Sequence, residues 1–253
     1  MQTMDKEQLK LVAQKALPSP VNNWLRTQLR PYKHHPPLGR VRWGELRSLK
    51  PISTSWGLDR GQPIDRYYID NFLARHSQDV QGRVLEIGDN SYTCHLGGDR
   101  VTQSDVLHID EEAMHATIIG DLADADHIPS DTFDCFVLTQ TLQLIYEVRL
   151  ALKTVYRILK PGGVALVTIP GITPIFDPEW QKCWYWNFTT LSARKLFEEV
   201  FPADSIEIET FGNVLAATAF LQGLAAEELQ TKELDYQDSG YEVTITVRAV
   251  KPR

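Results

Sequence analysis

Residues 133–169 read FDCFVLTQTLQLIYEVRLALKTVYRILKPGGVALVTI. Phe133 to Thr139 is a short, almost wholly apolar run, the pattern of a strand covered on both faces. Apolar side chains then recur at 144, 145, 148, 152, 155, 158 and 159, a spacing that predicts a helix over 142–159. Lys160-Pro161-Gly162-Gly163 reads as its stop, with a basic residue in the last turn followed by proline and glycine. Gly163 to Ile169 is a second buried strand. Strand, helix and strand in that order imply parallel pairing through a crossover.

The same alternation continues outward in both directions. Ile64 to His76 has apolar residues at 64, 67, 68, 72 and 73, close to a helical stripe. Arg83 to Ile87 is a short strand that meets the turn formers Gly88-Asp89-Asn90-Ser91. Val101 to Asp105 and Ala116 to Ile119 are further short strands. Leu191 to Phe201 reads as a helix, and Val214 to Leu229 as a long apolar one. Ser205 to Phe211 and Tyr241 to Val250 alternate polar and apolar residues, as strands near a sheet edge do, and one of them is expected to be antiparallel. The fold expected is a doubly wound, mostly parallel α/β sheet. Such sheets bind ligands beyond the carboxyl ends of their strands, where the strand order reverses.

Composition sets the outer limits. The chain has 253 residues, 43% hydrophobic and 23% charged, which excludes wholesale disorder. No run approaches the ~18 apolar residues of a membrane span. Asp5, Lys6 and Glu7 stand where a secretory signal needs an apolar core. Three cysteines, at 94, 135 and 183, suit neither a disulfide framework nor a zinc site. A cytoplasmic protein with no membrane span is expected. Charge is unevenly spread. Residues 17–60 carry eight Lys/Arg against two Asp/Glu, whereas residues 61–253 carry 15 against 29. Residues 1–60 therefore read as a basic N-terminal extension, with short helices over 5–16 and 21–29 and a proline-rich linker, PYKHHPPLGR. Residues 61–253 read as the α/β domain.

Four polar elements lie within or at the ends of these strands. Glu86 lies inside an apolar strand, where a carboxylate needs a partner. Gly88 follows it, but G-x-G-x-x-G is absent, so a nicotinamide or flavin site is poorly supported. Asp105 stands about twenty residues on, where a carboxylate can accept both ribose hydroxyls. Asp121 and Leu122 follow Gly120 and could meet an adenine edge. Thr139 and Gln140 mark the point where the 133–139 strand leaves the core.

Taken in order, VLEIG (84–88), SDV (104–106), GDLADADHIPSDTFDCFVLTQTLQLI (120–145) and LKPGGVALVTIP (159–170) resemble the class I S-adenosylmethionine-dependent methyltransferases of type 11. The resemblance implies a seven-stranded Rossmann-like sheet with an antiparallel terminal hairpin, and S-adenosylmethionine as cofactor. Glu86, Gly88 and the adjoining Asp89 would approach its methionine end. Asp105 would hold the ribose, Asp121 and Leu122 the adenine, and Thr139 and Gln140 would lie beneath. Two features depart from the family. Its E-x-G-x-G-x-G motif is degenerate here, with Asp89, Asn90 and Ser91 in place of later glycines. The apolar helix at 214–229 is an insertion, suited to packing over the sheet or to a homodimer interface.

Methyl transfer asks the protein mainly for proximity and orientation. No catalytic base stands out from the histidines at 34, 35 and 95. Trp180, Trp184, Tyr185 and Trp186 follow the strand that ends at Ile169, and Tyr67 precedes the first strand. Aromatic faces there suit a small-molecule or glycan acceptor, such as a sugar hydroxyl. WQKCWYWNFT (180–189) resembles a W-x-F-T segment of methyltransferases associated with surface polysaccharides. Two other readings stay open. The altered glycine loop suits a catalytically silent cofactor binder, and the basic arm suits a nucleic-acid methyltransferase, although the acidic body opposes a nucleic-acid partner.

Overall fold

The computed structural model describes residues 36–253, and the helices expected at 5–16 and 21–29 lie outside them. The described chain divides after Ser48. Residues 36–48 hold one 3-10 turn, Gly44–Leu46. Leu49–Arg253 form the second unit, so the segment just before Gly61 belongs with the α/β body. The backbone amides of Ile52 and Ser53 donate to the Gln222 carbonyl at 2.9 and 3.0 Å.

Seven strands form one sheet: β1 (Gly82–Ile87), β2 (Val101–His108), β3 (Ile118–Ile119), β4 (Phe133–Thr139), β5 (Leu159–Pro170), β6 (Ile206–Phe211) and β7 (Thr244–Val250). Their order is β3-β2-β1-β4-β5-β7-β6. Strands β3 through β5 pair in parallel, and β7 runs antiparallel to both its neighbours. The expected doubly wound, mostly parallel sheet is therefore present. Helices α1 (Ile64–Arg75), α2 (Val148–Ile158), α3 (Thr190–Glu198), α4 (Val214–Leu221) and α5 (Thr231–Leu234) accompany it.

Strand alternation divides the core. Leu85, Phe136, Leu138, Val167 and Val247 face the side covered by α2 and α3. Val84, Cys135, Val137, Val164 and Leu166 face the other side and pack with Ile69, Phe72 and Leu73 of α1. Next to them, Ile64 and Tyr68 join Phe211 and the α4 residues Ala216, Ala217 and Phe220.

Three boundaries differ from expectation for identifiable reasons. Residues 142–144 make a 3-10 turn, and the helix begins only at Val148. The Lys160-Pro161-Gly162-Gly163 stop is absorbed into β5 as an irregularity, since Phe133 pairs with Leu159 and Cys135 with Val164. A Cβ on Gly163 would lie 2.9 Å from the Phe133 and Lys160 carbonyls, so only glycine fits. The helix expected over 214–229 ends at Leu221, because Gly223 turns at φ +70° with Ser53 packed against it. What remains of it leaves Val214, Leu215 and Leu221 exposed.

Candidate cofactor site

The strand order reverses between β1 and β4, and a cavity of about 240 Å³ lies at the carboxyl ends there. Ile87 and Gly88 form its floor at the end of β1. Leu107, His108 and Ile109 come from the end of β2, and Gly120, Asp121 and Leu122 from the turn after β3. Thr141, Leu144 and Ile145 close it from the loop after β4. The lining is apolar with a few polar groups, as a slot for a flat heteroaromatic ring requires.

The loop after β1 holds its shape with one glycine. Gly88 has φ +83°, and a Cβ placed on it would meet nothing within 4 Å. Its backbone is thus open to close approach from the cavity. Asp89, Asn90 and Ser91 all avoid positive φ. Side chains do the rest of the bracing. Asp89 Oδ1 accepts from Ser91 N at 2.8 Å, and Asn90 Nδ2 donates to Ser104 Oγ at 3.2 Å. Glu86, 2% exposed, accepts from Tyr92 N at 3.1 Å and from Thr93 N and Thr93 Oγ1 at 2.7 Å each. Burial pushes its carboxyl above the usual range, and the three donors oppose the shift. The Tyr92 hydroxyl donates to Asp70 Oδ1 at 2.8 Å and accepts from the Arg66 guanidinium at 3.2 Å. Burial, aided by Asp70, pushes that phenol up to about 12.

Of the positions named from the sequence, Gly88, Asp121 and Leu122 line the cavity. Glu86 and Asp89 serve the loop rather than the cavity wall. Thr139 ends β4, and Gln140, at φ +45°, joins it to the lining residue Thr141. Asp105 is not brought there. Strand β2 runs three residues past it, to His108, and leaves the carboxylate in mid-strand. Arg83 Nε sits 2.7 Å from its Oδ2, and Gln103 Nε2 and Thr117 Oγ1 also bond to it. His108 and Ile109 occupy the strand end that had been expected at Asp105. The sequence VLHI merely extends an apolar run, and nothing in it marks the stop.

The aromatic positions separate into three places. Trp186 donates from Nε1 to the carbonyl of the cavity residue Ile145 at 3.0 Å. Tyr146 stacks on Trp186 at 6.0 Å and meets Tyr185 edge-on at 5.3 Å. These three rings are all substantially exposed. Gln143 ties them down, its carbonyl accepting from Tyr185 N and Trp186 N at 2.8 and 3.3 Å. Trp180 and Trp184 instead pair with each other at 5.9 Å, and Trp180 packs on Trp56 at 5.3 Å. Tyr67 lies elsewhere again, donating to Asp235 Oδ1 at 2.7 Å. Tyr146, which precedes α2, was missed because no aromatic run surrounds it.

A Gly88→Ala change tests the one glycine. Open space means only backbone strain is incurred, about 1–2 kcal/mol. S-adenosylhomocysteine affinity is expected to fall by roughly tenfold in isothermal titration, because the added methyl also occupies the approach to the loop.

A seven-stranded sheet of this order, with one antiparallel strand and a cavity at the switch point, defines the Rossmann-like α/β methyltransferase class. Residues 85–167 match the family described as "Methyltransferase domain". Over this segment the chain is similar to the class I S-adenosylmethionine-dependent methyltransferases, which supports S-adenosylmethionine as its cofactor. It is 34% identical over 129 residues to the ubiquinone/menaquinone biosynthesis C-methyltransferase of Haemophilus ducreyi, covering 48% of this chain and 45% of that enzyme. The Citrobacter koseri enzyme of the same description is 41% identical over 74 residues, 27% of this chain and 29% of its own. The chain thus spans less than half the length of these relatives. A crystal structure of an S-adenosylmethionine-dependent methyltransferase from Archaeoglobus fulgidus has the same fold at a TM-score of 0.50 and 14% identity, covering 74% of this chain and 94% of that one. A [4+2]-cyclase shares it at a TM-score of 0.51 and 18% identity, covering 76% and 84%.

Proposed function

We propose that the protein transfers a methyl group from S-adenosylmethionine to a small-molecule or glycan acceptor held beside the Tyr146–Trp186 platform. The observation that carries this reading is that Ile145, a wall residue of the cavity, is hydrogen-bonded through its backbone carbonyl to Trp186. The cavity opens on the floor residue Gly88. Its volume, about 240 Å³, is below the ~300–1,000 Å³ of sites for whole drug-sized ligands. It suits the nucleoside end, with Asp121 and Leu122 at the base. Gly88, whose open backbone allows close approach, would hold the methionine end. The cofactor supplies an electrophilic methyl group when bound; the protein orients it and excludes water.

The exposed rings offer a flat apolar surface with N–H and O–H groups at its margins, chemistry that fits the C–H face of a sugar or a planar ring. The relatives are described as ubiquinone/menaquinone biosynthesis C-methyltransferases, which makes a planar ring methylated on carbon a second candidate acceptor. Titration with S-adenosylmethionine and S-adenosylhomocysteine tests the cofactor site. Transfer of labelled methyl to hydroxylated sugars and phenols then tests the activity. Saturable binding without transfer to any acceptor would favour a silent binder, which the single-glycine loop also motivates. Trp186→Ala is expected to raise KM for the acceptor about tenfold, the loss of one well-packed aromatic face, with S-adenosylhomocysteine affinity within twofold. Equal KM values in the two proteins would remove the platform from the acceptor site.

A further inference from the structure

Helix α1 leads into β1 and so runs back across the sheet, with its N-terminus at the carboxyl edge. Its buried stripe is Ile64, Tyr68, Ile69, Phe72 and Leu73. At ~3.6 residues per turn, Asp65 falls at the centre of that stripe, one turn before Ile69. A carboxylate thus occupies a position where the periodicity calls for an apolar side chain. Among the described residues, the donors to it are backbone amides, that of Arg66 at 2.9 Å and its own, and no side chain.

The sheet beneath this end of α1 is polar as well. Val84, Val137 and Leu166 point toward α1, so Glu86, Thr139 and Thr168 share that face by alternation. Thr246 pairs with Thr168, and Thr244 pairs with Pro170 at the end of β5. All five positions lie toward the carboxyl ends of β1, β4 and β5, and three of the threonines are essentially inaccessible. The Thr244 hydroxyl is buried with no partner among the described residues. An unpaired buried hydroxyl is costly, and a water or a ligand group can satisfy it. Helix α1 packs on β7, and its first turn and Thr244 both lie toward the carboxyl edge of β5.

Resting on the methyl-transfer reading above, we propose that Asp65 faces the transferring methyl group and takes the proton of a hydroxyl acceptor. The acceptor oxygen forms its bond to the methyl carbon as the carbon–sulfur bond breaks. The bonding pair stays on sulfur. The hydroxyl proton passes to the Asp65 carboxylate and from there to water. Glu86, with three protein donors, is committed to the loop, whereas no side chain among the described residues donates to Asp65. Burial, opposed by Arg66, holds the Asp65 carboxyl above the ordinary carboxylate range, which favours its action as a base closer to neutrality. The charged groups that act on it are Arg66, which lowers its pKa, and Asp70, which raises it, both on α1.

The test needs no knowledge of the acceptor. Sinefungin carries an ammonium group where S-adenosylmethionine carries its methyl, and S-adenosylhomocysteine carries nothing there. Isothermal titration of both compounds against wild type and Asp65→Asn reads whether a carboxylate faces that point. Wild type is expected to prefer sinefungin by about tenfold at pH 8, the scale of a charged hydrogen bond. That preference should shrink as pH falls and Asp65 becomes protonated. Asp65→Asn should bind S-adenosylhomocysteine within twofold of wild type and show no sinefungin preference at any pH. A preference retained in Asp65→Asn, or one in wild type that ignores pH, overturns the proposal. Loss of S-adenosylhomocysteine affinity in a folded Asp65→Asn would also overturn it, by placing Asp65 on the cofactor's methionine end. Wild type that binds neither compound sinks the cofactor reading itself and this inference with it. The pH series on wild type alone decides the matter should Asp65→Asn not fold.

Discussion

Glu86→Ala is expected to lower stability by about 2–4 kcal/mol and to weaken S-adenosylhomocysteine binding by roughly 10–100-fold. The carboxylate accepts from two successive backbone amides and one hydroxyl, and Thr93 is 1% exposed. Truncation strands donors that water reaches poorly, at about 1–3 kcal/mol for each buried group. Part of that loss is returned, because the buried carboxyl was itself costly, as its upward shift shows. For a domain of this size the net change corresponds to a fall in Tm of roughly 4–16 °C. Binding suffers separately, since the loop that presents Gly88 would have to be ordered by the ligand. Glu86→Gln should fall between the two proteins: one oxygen still accepts, while the amide group opposes an N–H. The upward shift also sets the sign with pH. The folded state holds the Glu86 proton more tightly than the unfolded state. Its contribution to stability is therefore greatest below the unfolded carboxylate range and declines as pH rises through the folded value. Denaturation midpoints of wild type and Glu86→Ala should consequently converge as pH rises from 4 to 8. A Glu86→Ala protein that is fully folded and binds S-adenosylhomocysteine like wild type would reduce Glu86 to an incidental buried acid.

The strands were legible because hydrophobic periodicity is local. FDCFVLT and GVALVTI announce β4 and the core of β5, and the alternation in YEVTITVRAV announces an antiparallel member near the edge. Lys160-Pro161-Gly162-Gly163 has the composition of a helix stop, and only pairing with β4 turns it into a strand irregularity. Gly223 ends α4 early because Ser53, some 170 residues away in sequence, packs against it. The candidate site shows the same limit. Gly88, Asp121 and Leu122 could be placed because turn chemistry and spacing put them at strand ends. Asp65 was hidden inside an amphipathic stripe, where a single acid reads as a surface residue until the helix has a face and a direction. Trp186 and Trp180 could not be told apart, since six residues of loop carry them to different neighbours.

Asp105 shows most plainly how a strand boundary changes a chemical role. Had β2 ended there, Asp105→Ala would have cost cofactor affinity. With β2 continuing to His108, the substitution is expected to cost stability instead. The carboxylate side chain is 7% exposed and paired with Arg83, itself 35% exposed and lying over the Phe133 ring at 5.1 Å. Breaking a buried pair by removing one member costs about 3–5 kcal/mol. The partial exposure of Arg83 lets water recover some of its charge, which reduces the figure to about 2–3 kcal/mol. Thr117 and Gln103 lose an acceptor in the same step. Because Thr117 Oγ1 also accepts from Val106 N, the junction between β2 and β3 should loosen. That junction leads to Gly120 and Asp121, so a small indirect effect on binding, about twofold, is expected. Urea denaturation and S-adenosylhomocysteine titration on the same preparation separate the two outcomes. Loss of stability with near-normal affinity follows from the mid-strand position. A tenfold or greater loss of affinity in a protein as stable as wild type would return Asp105 to the ribose, and would require β2 to end three residues earlier in the bound state. Arg83→Met should reproduce much of the destabilisation, since it leaves the same carboxylate buried without its cation. Combining it with Asp105→Leu should restore part of it, because two apolar side chains remove the stranded charge from both sides.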